Sequence, residues 1–535
     1  MPFTEIYRAH GEILAALTSF NDNVGQSPGE RLQTLMRLDE DGRDLQQILC
    51  KQYFNQPATL NQVENSLWSR IFSLYWQLKR GYRALIREHR DNPGGWQTRS
   101  NLALITTRAL HYSAATFKWG YFRHAPVDPK VWRSLHKLYR ASEQGRFATQ
   151  RIKLYEGGEH TSCSAEYVRI LLLDLLGPLS LSPTQIEIAD QWLRRQAKSV
   201  LLEEVCDIDR HLFYVDFAEA AGPRKFSRGV SGAKMRYLAM AELLGRIDDI
   251  IAGACDLVSL SRLEVVEDWQ QAMNIELASP TRTQWASRSV MRPHPREAAK
   301  QTQKLFEHFR IQWSGNSHKR QHSREDVWQT VEVVCDFPAI CTRLRRGADE
   351  IQAGSQPKDR SIDESSDDAG QWTLQNRSGG GYGLSTGYHA QGRIRVGGLL
   401  GLEIGSEAEG WEIGAIRRII VASADEIAVG VETLSSAPKL VELSGMGGLQ
   451  LAEGKNHTGT ESLKAPPVEA ILLSPMAEPN ASGSLILPVA DYPSRIIDLH
   501  DGDRSYRIRL TNVLERTEDW IQVEFVSGEG DPGSP

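Results

Sequence analysis

Trp411-Glu-Ile-Gly-Ala-Ile-Arg-Arg-Ile-Ile420 runs into an Ala424-Asp425 turn and returns as Ile427-Ala-Val-Gly-Val-Glu432. β-Branched and aromatic residues fill both runs, so the stretch reads as two strands joined by a short turn. Strand alternation would turn only one of Arg417 and Arg418 outward, and a structural role is expected for both. Similar runs lie upstream: Val327 to Val334, Trp372-Thr-Leu-Gln-Asn376, Arg393-Ile-Arg-Val396, and, after a glycine turn, Leu399 to Ile404. More follow downstream: Ala470-Ile-Leu-Leu473, Ser484 to Val489, Tyr506 to Leu510 and Trp520 to Phe525. Short strands separated by glycine or acidic turns predict a small barrel or sandwich, then a second β-module.

The first part of the chain has a different period. Val63, Leu67, Ile71, Leu74, Leu78 and Leu85 recur at helical spacing and predict one long helix from about Gln62 to Glu88. Asp128-Pro129 pairs an N-cap with a first-turn proline ahead of Val131, Trp132, Leu135 and Leu138. Ser182-Pro-Thr-Gln185 has capping-box spacing. Ala233 to Ile251, with Tyr237, Met240, Leu244, Ile247 and Ile251, reads as a further helix. Proline-rich breaks fall at Leu175–Pro178 and Ser279–Arg296. The predicted class is a multidomain α + β chain. An all-α half (1–310, bundle or solenoid, with a break near 178–183) precedes a β-barrel (315–435) and a second β-module (436–527). Gln352–Gly370, Glu453–Pro467 and the tail from Ser527 are poor in apolar residues and are expected to be disordered.

Composition narrows the function. The 535 residues exceed one ordinary core, and a net charge of −6 argues against a polyanion-binding protein, so neither DNA nor RNA is an expected partner. The six cysteines are scattered, without a C-x-x-C pair, so neither a zinc framework nor a disulfide scaffold is expected. The longest strongly apolar run, Ile170–Leu176, contains Asp174 and is too short to cross a membrane. Met1-Pro-Phe-Thr-Glu-Ile lacks the character of a signal peptide. A reduced, cytoplasmic protein without cofactor or bound metal is the expectation. Asp207-x-Asp209 with His211 is the most metal-like cluster, yet on a helix those side chains would diverge. No H-E-x-x-H or G-x-S-x-G occurs, and Ser378-Gly-Gly-Gly-Tyr-Gly383 lacks the lysine and following helix of a phosphate loop. Enzymatic activity is not expected.

Two short motifs carry chemistry. Arg320-Gln-His-Ser-Arg324 is R-x-x-x-R, and Asn376-Arg-Ser-Gly-Gly-Gly381 is N-x-S-x-x-G. An arginine fork matches both phosphate oxygens and the O6/N7 edge of guanine, and a good bidentate guanine contact is worth roughly 1–3 kcal/mol. Asn376 and Ser378, two apart on a strand, face the same way, and the glycines let a flat ligand approach the backbone. Each motif alone is commonplace: the first is usually a solvated basic segment, the second a turn. His318 and His322 bracket the first motif and could stack on a base or simply be exposed. Arg343-Leu-Arg-Arg346 could be an auxiliary anion site, but a solvated charge run near a loop is the commoner case.

In this order, with a glycine-containing strand at 411–418 and Val429-Gly-Val-Glu432 behind them, the motifs resemble the ligand signature of the PilZ domain. The PilZ family is a bacterial β-barrel family that binds the second messenger cyclic di-GMP. The resemblance covers roughly Gly315–Ser435. It implies that Arg320 and Arg324 grip phosphate and guanine, and that Asn376, Ser378 and Gly381 form the opposing wall, with Gly380 and His322 as weaker contacts. It also implies that Lys319, just before the first arginine, bears on whether one or two ligand molecules bind. The stretch between the motifs is longer than is usual for the family. The expected function is a cyclic di-GMP receptor that relays binding to a helical half, which would contact a protein partner or self-associate. A helical adaptor with a degenerate β-module is the alternative reading, and the helical half itself resembles no family of known activity.

Overall fold

Helices form in the first half where apolar side chains recur every three or four residues, and strands form in the second half where they alternate. In the computed structural model the chain divides into two units, Met1–Lys319 and Arg320–Pro535. The structure describes residues 2–23, 27–54, 61–91, 100–208, 210–226, 232–254, 295–315, 323–352, 369–387, 394–404, 411–423, 425–445, 467–473, 482–489, 496–502, 504–517 and 519–527. Most of Gln352–Gly370, Glu453–Pro467, Ser279–Arg296 and the C-terminal tail lies outside the described residues.

In the first unit, α1 (Phe3–Asp22), α2 (Pro28–Phe54), α3 (Asn61–Asp91) and α4 (Leu102–Tyr121) are followed by α5 (Pro129–Gln144), α6 (Cys163–Leu175) and α7 (Pro183–Gln196). α3 is the expected long helix: Leu67, Ile71, Leu74, Leu78 and Leu85 are buried, whereas Val63, in its first turn, is 43% exposed. The caps form as the sequence predicts. The Asp128 carboxylate accepts the Lys130 N–H at 2.6 Å, and both halves of the Ser182/Gln185 capping box are present.

Small strands join these helices: a hairpin of β1 (Ile152–Lys153) and β2 (His160–Thr161), and a four-stranded sheet. The sheet contains β3 (Leu201–Glu203), β4 (His211–Asp216), β5 (Arg224–Lys225) and β6 (Met235–Ala239), in the order β3-β6-β4-β5. The helix expected over Ala233–Ile251 is therefore corrected. Met235–Ala239 pairs with β4, and only α8 (Ala241–Ala254) is helical, so Tyr237 and Leu244 share no helix face. A run of apolar residues this short fits either period, and the neighbouring strands decided it. α9 (Pro295–Trp313) closes the unit, burying Phe306, Phe309 and Trp313 against Trp192.

Two acids buried among these helices are held by dense pairing. Asp39, 1% exposed, accepts hydrogen bonds from Tyr82 at 2.5 Å, Tyr155 at 3.0 Å, Arg108 at 3.2 Å and Tyr112. Asp190, fully buried, pairs with Arg169 at 2.5 Å and with Lys118 at 2.9 Å. Such networks require every member, because removing one partner strands a buried charge.

The second unit holds two closed antiparallel barrels. The first is built from β7 (Glu325–Cys335), β8 (Ala369–Ser378), β9 (Gly381–Gly387), β10 (Leu399–Glu403), β11 (Trp411–Val421) and β12 (Glu426–Ser435). Its strands pair in the order β7-β8-β9-β12-β11-β10, with β10 returning to β7. Val333, Trp372, Leu374, Leu384, Leu402, Ile416 and Val429 fill the interior. Ile394–Gly398 is a turn rather than the strand expected at 393–396. Arg343–Arg346 lies on α10 (Phe337–Gln352), whose Phe337, Ile340 and Cys341 are buried.

The second barrel closes β13 (Lys439–Ser444), β14 (Val468–Leu472), β15 (Ser482–Pro488), β18 (Trp520–Ser527), β17 (Arg504–Arg516) and β16 (Ile496–Asp501), in that order. An apolar cluster joins the barrels. Phe337, Ile340, Leu399 and Ile413 pack with Ile471, Ile486 and Trp520, and the Trp520 indole N–H donates to Gly397 O at 2.9 Å. The fold is a mixed α + β multidomain architecture, with a helix-rich half followed by two barrels.

Candidate ligand-binding site

The two motifs converge on the first barrel. Arg324 sits just before β7 and is exposed, with no ion pair among the described residues. Lys319, Arg320 and His322, with His318, lie outside the described residues. Asn376 lies in β8 opposite Asp326 of β7 on one side and Gly383 of β9 on the other. Ser378 ends β8 opposite Gly381. Register therefore brings Asn376 and Ser378 to the same face, as their spacing implied. A bulge between Leu374 and Asn376 resets the phase of β8, so Leu374 and Leu384 occupy the interior while Asn376, opposite Gly383, lies on the outer wall of the barrel.

Gly379 and Gly380 make the tight turn from β8 to β9, and Gly380 O accepts the Thr433 N–H at 3.2 Å. The Ser378 hydroxyl donates to Gly381 O at 3.1 Å, which ties the turn shut. Gly381 has φ +155, and a Cβ there would lie 2.0 Å from Val431 O. Glycine is thus required for β9 to pair this closely with β12. The third glycine of the motif serves the barrel first, and a wall contact second.

Asn376 reaches over Gly383, where a Cβ would come within 2.6 Å of its Oδ1. Its amide makes no hydrogen bond to protein among the described residues. A free planar amide and a free guanidinium, both on the outer wall, can take a phosphate oxygen or the edge of a purine. Glu325 and Asp326, both exposed, share the rim with Arg324, so the site is basic only locally.

Sequence reasoning misplaced one detail of this wall. A β-bulge between Ile416 and Arg418 inserts an extra residue into β11. Ile416 and Ile419 both point inward, so Arg417 and Arg418 both point outward, contrary to simple alternation. Arg417 binds Glu432 at 2.7 Å and the Glu515 carboxylate through both terminal nitrogens at 2.5 and 2.7 Å, and these acids raise its pKa against the effect of burial. Arg418 is exposed, without such partners among the described residues.

The metal-like cluster resolves differently. His211 is on a strand, buried; its Nδ1 accepts the Asp207 N–H at 2.9 Å and its Nε2 faces Glu203 at 3.3 Å. Asp209 lies outside the described residues. Among the described residues no group of three His, Cys, Asp or Glu side chains could hold a metal ion.

The outer wall thus gathers groups whose chemistry suits a phosphate oxygen or a base edge. The comparison with known families bears on the other half of the chain. Residues 1–206 match the family described as "Cyclic-di-GMP receptor FimW, N-terminal domain". This match spans α1 to β3 and falls on the helical half, not on the barrel that carries the motifs. No curated protein and no solved structure matches the chain. The helical half, which carried no resemblance at the level of motif reading, is therefore the part with a family relative.

Proposed function

We propose that this chain is a cyclic di-GMP receptor whose first barrel binds the ligand on its outer wall in the manner of a PilZ domain. The observation that carries the reading is the convergence of Arg324, Asn376 and Ser378 at adjoining strand ends, with Gly381 closing the wall behind them. The similarity of residues 1–206 to a cyclic di-GMP receptor's N-terminal domain supports the same ligand independently of those motifs. Arg320 and Arg324 take phosphate and guanine. The helical half then passes the signal to a protein partner or to a second copy of the chain. The protein acts as a receptor rather than an enzyme, in the cytoplasm where this messenger is made. Among the described residues no helix is long and apolar enough to cross a membrane.

Calorimetric titration of the full chain with cyclic di-GMP tests the reading, and reports stoichiometry as well. Saturable micromolar or tighter binding, lost in Arg324→Ala and Ser378→Ala, is the expected result. Absence of any binding heat at micromolar protein would refute it.

A further inference from the structure

Strand registers carry one row of outward positions across the first barrel. Asp326 lies opposite Asn376, Asn376 opposite Gly383, Gly383 opposite Gly430, and Gly430 opposite Arg418. With strands about 4.8 Å apart, the backbones of Asn376 and Arg418 stand roughly 14 Å from each other. Asn376 covers the first glycine of the row. The second is uncovered: among the described residues a Cβ at Gly430 would meet only Arg418, at 3.4 Å from its Cβ and 4.0 Å from its carbonyl oxygen. Neither sterics nor a positive φ demands glycine there, in contrast to Gly381. A mid-strand glycine that the backbone does not require leaves a gap in the wall.

Arg418 borders that gap. The bulge in β11 turns two arginines outward, and among the described residues only Arg417 has ion-pair partners. Arg417 neutralises Glu432, the nearest acid in the adjoining row, so that carboxylate does not repel an anion lying over Gly430. We propose that Arg418 is a further ligand-contacting residue of the site, with the second half of cyclic di-GMP lying over Gly430 against its guanidinium. This rests on the reading of the barrel as a cyclic di-GMP site. The ligand is a symmetric ring: whatever phosphate or guanine edge Arg324 and Asn376 take from one half, the other half presents again. A second free arginine fork across a bare floor matches that repeated chemistry.

The test compares full-length wild type with Arg324→Ala, Arg418→Ala, Arg418→Lys and Gly430→Val, using cyclic di-GMP in calorimetry and thermal melts without ligand. Arg418→Ala is expected to weaken binding about 5- to 100-fold, the range for losing one bidentate contact. Arg418→Lys restores only part, because it keeps the charge and loses the fork. Gly430→Val blocks the floor and weakens binding to a similar degree, while its melting temperature holds or rises, since its Cβ would make only ordinary contact with Arg418 and valine favours strands. Wild-type affinity in both Arg418→Ala and Gly430→Val, with binding lost in Arg324→Ala, would overturn the inference and leave the receptor reading standing. Full recovery in Arg418→Lys would also overturn it, by reducing Arg418 to a general charge. No binding by the wild type would overturn the receptor reading, and the role of Arg418 with it.

Discussion

At the scale of single residues, two glycines on neighbouring strands have opposite meanings. Gly381 packs so closely that a methyl group would sit 2.0 Å from Val431 O. We expect Gly381→Ala to destabilise the first barrel by about 2–4 kcal/mol, read as a lowered melting temperature, because the clash is with backbone and cannot be relieved by rotating a side chain. Gly430→Val should leave stability intact. Arg324→Ala, at an exposed position without ion pairs among the described residues, should likewise leave the melting temperature within about a degree while abolishing ligand binding. Parallel thermal and calorimetric measurements separate the three, since a residue that only supports the fold moves both readouts together.

At the scale of elements, α3 carries a charge that folding opposes. Lys79 is 4% exposed, donates to Thr116 Oγ1 at 3.1 Å, and stacks over Trp76 at 4.0 Å, without a carboxylate partner among the described residues. Burial, with a smaller effect from Arg83, pushes its pKa from 10.5 down to about 7. Between about 7 and 10.5 the folded Lys79 is neutral while the unfolded one is charged. The unfolded state then binds more protons, so stability rises with pH across that window and the cost of the buried charge is fully present below it. Lys79→Met should therefore raise stability at pH 7 by on the order of 1–3 kcal/mol and flatten the rise between pH 7 and 10, as followed by denaturant melts over pH. α7 begins with the Ser182 capping box, and Ser182→Ala should cost about 1 kcal/mol. α10 shows what sequence reading overlooked. Arg343-Leu-Arg-Arg346 is a charge run, but Phe337, Ile340, Cys341 and Leu344 around it carry helical spacing. The strand Met235–Ala239 was misassigned for the converse reason: five residues hold too little period to exclude a helix, and pairing with β4 settled the matter.

At the scale of the whole molecule, the barrels of the second unit are one structure rather than two modules on a string. Trp520, fully buried, roots the second barrel in the turn at Gly397 of the first, and Arg417 reaches Glu515 of β17. Trp520→Ala should cost about 3–5 kcal/mol and lower the unfolding temperature of both barrels together, which differential scanning calorimetry would show as one shifted transition. Two separate transitions, with only the second barrel affected, would contradict that coupling. The site motifs lie in this unit and the family match in the other, so a full-length chain is the right material for every binding measurement.

The sequence by itself determined the local periods: helices through most of the first half, strands through the second, the caps at Asp128 and Ser182, and the order of the two motifs. Those are matters of side-chain spacing along a few turns or one strand, which the chain carries locally. Only the tertiary structure decided that Gly381 is required by its neighbour β12, that a bulge turns Arg417 and Arg418 outward together, and that Gly430 lies bare beside an uncommitted guanidinium. Each of these depends on register between strands distant in sequence, and register follows from closing the barrel, a long-range condition that no window of local sequence contains.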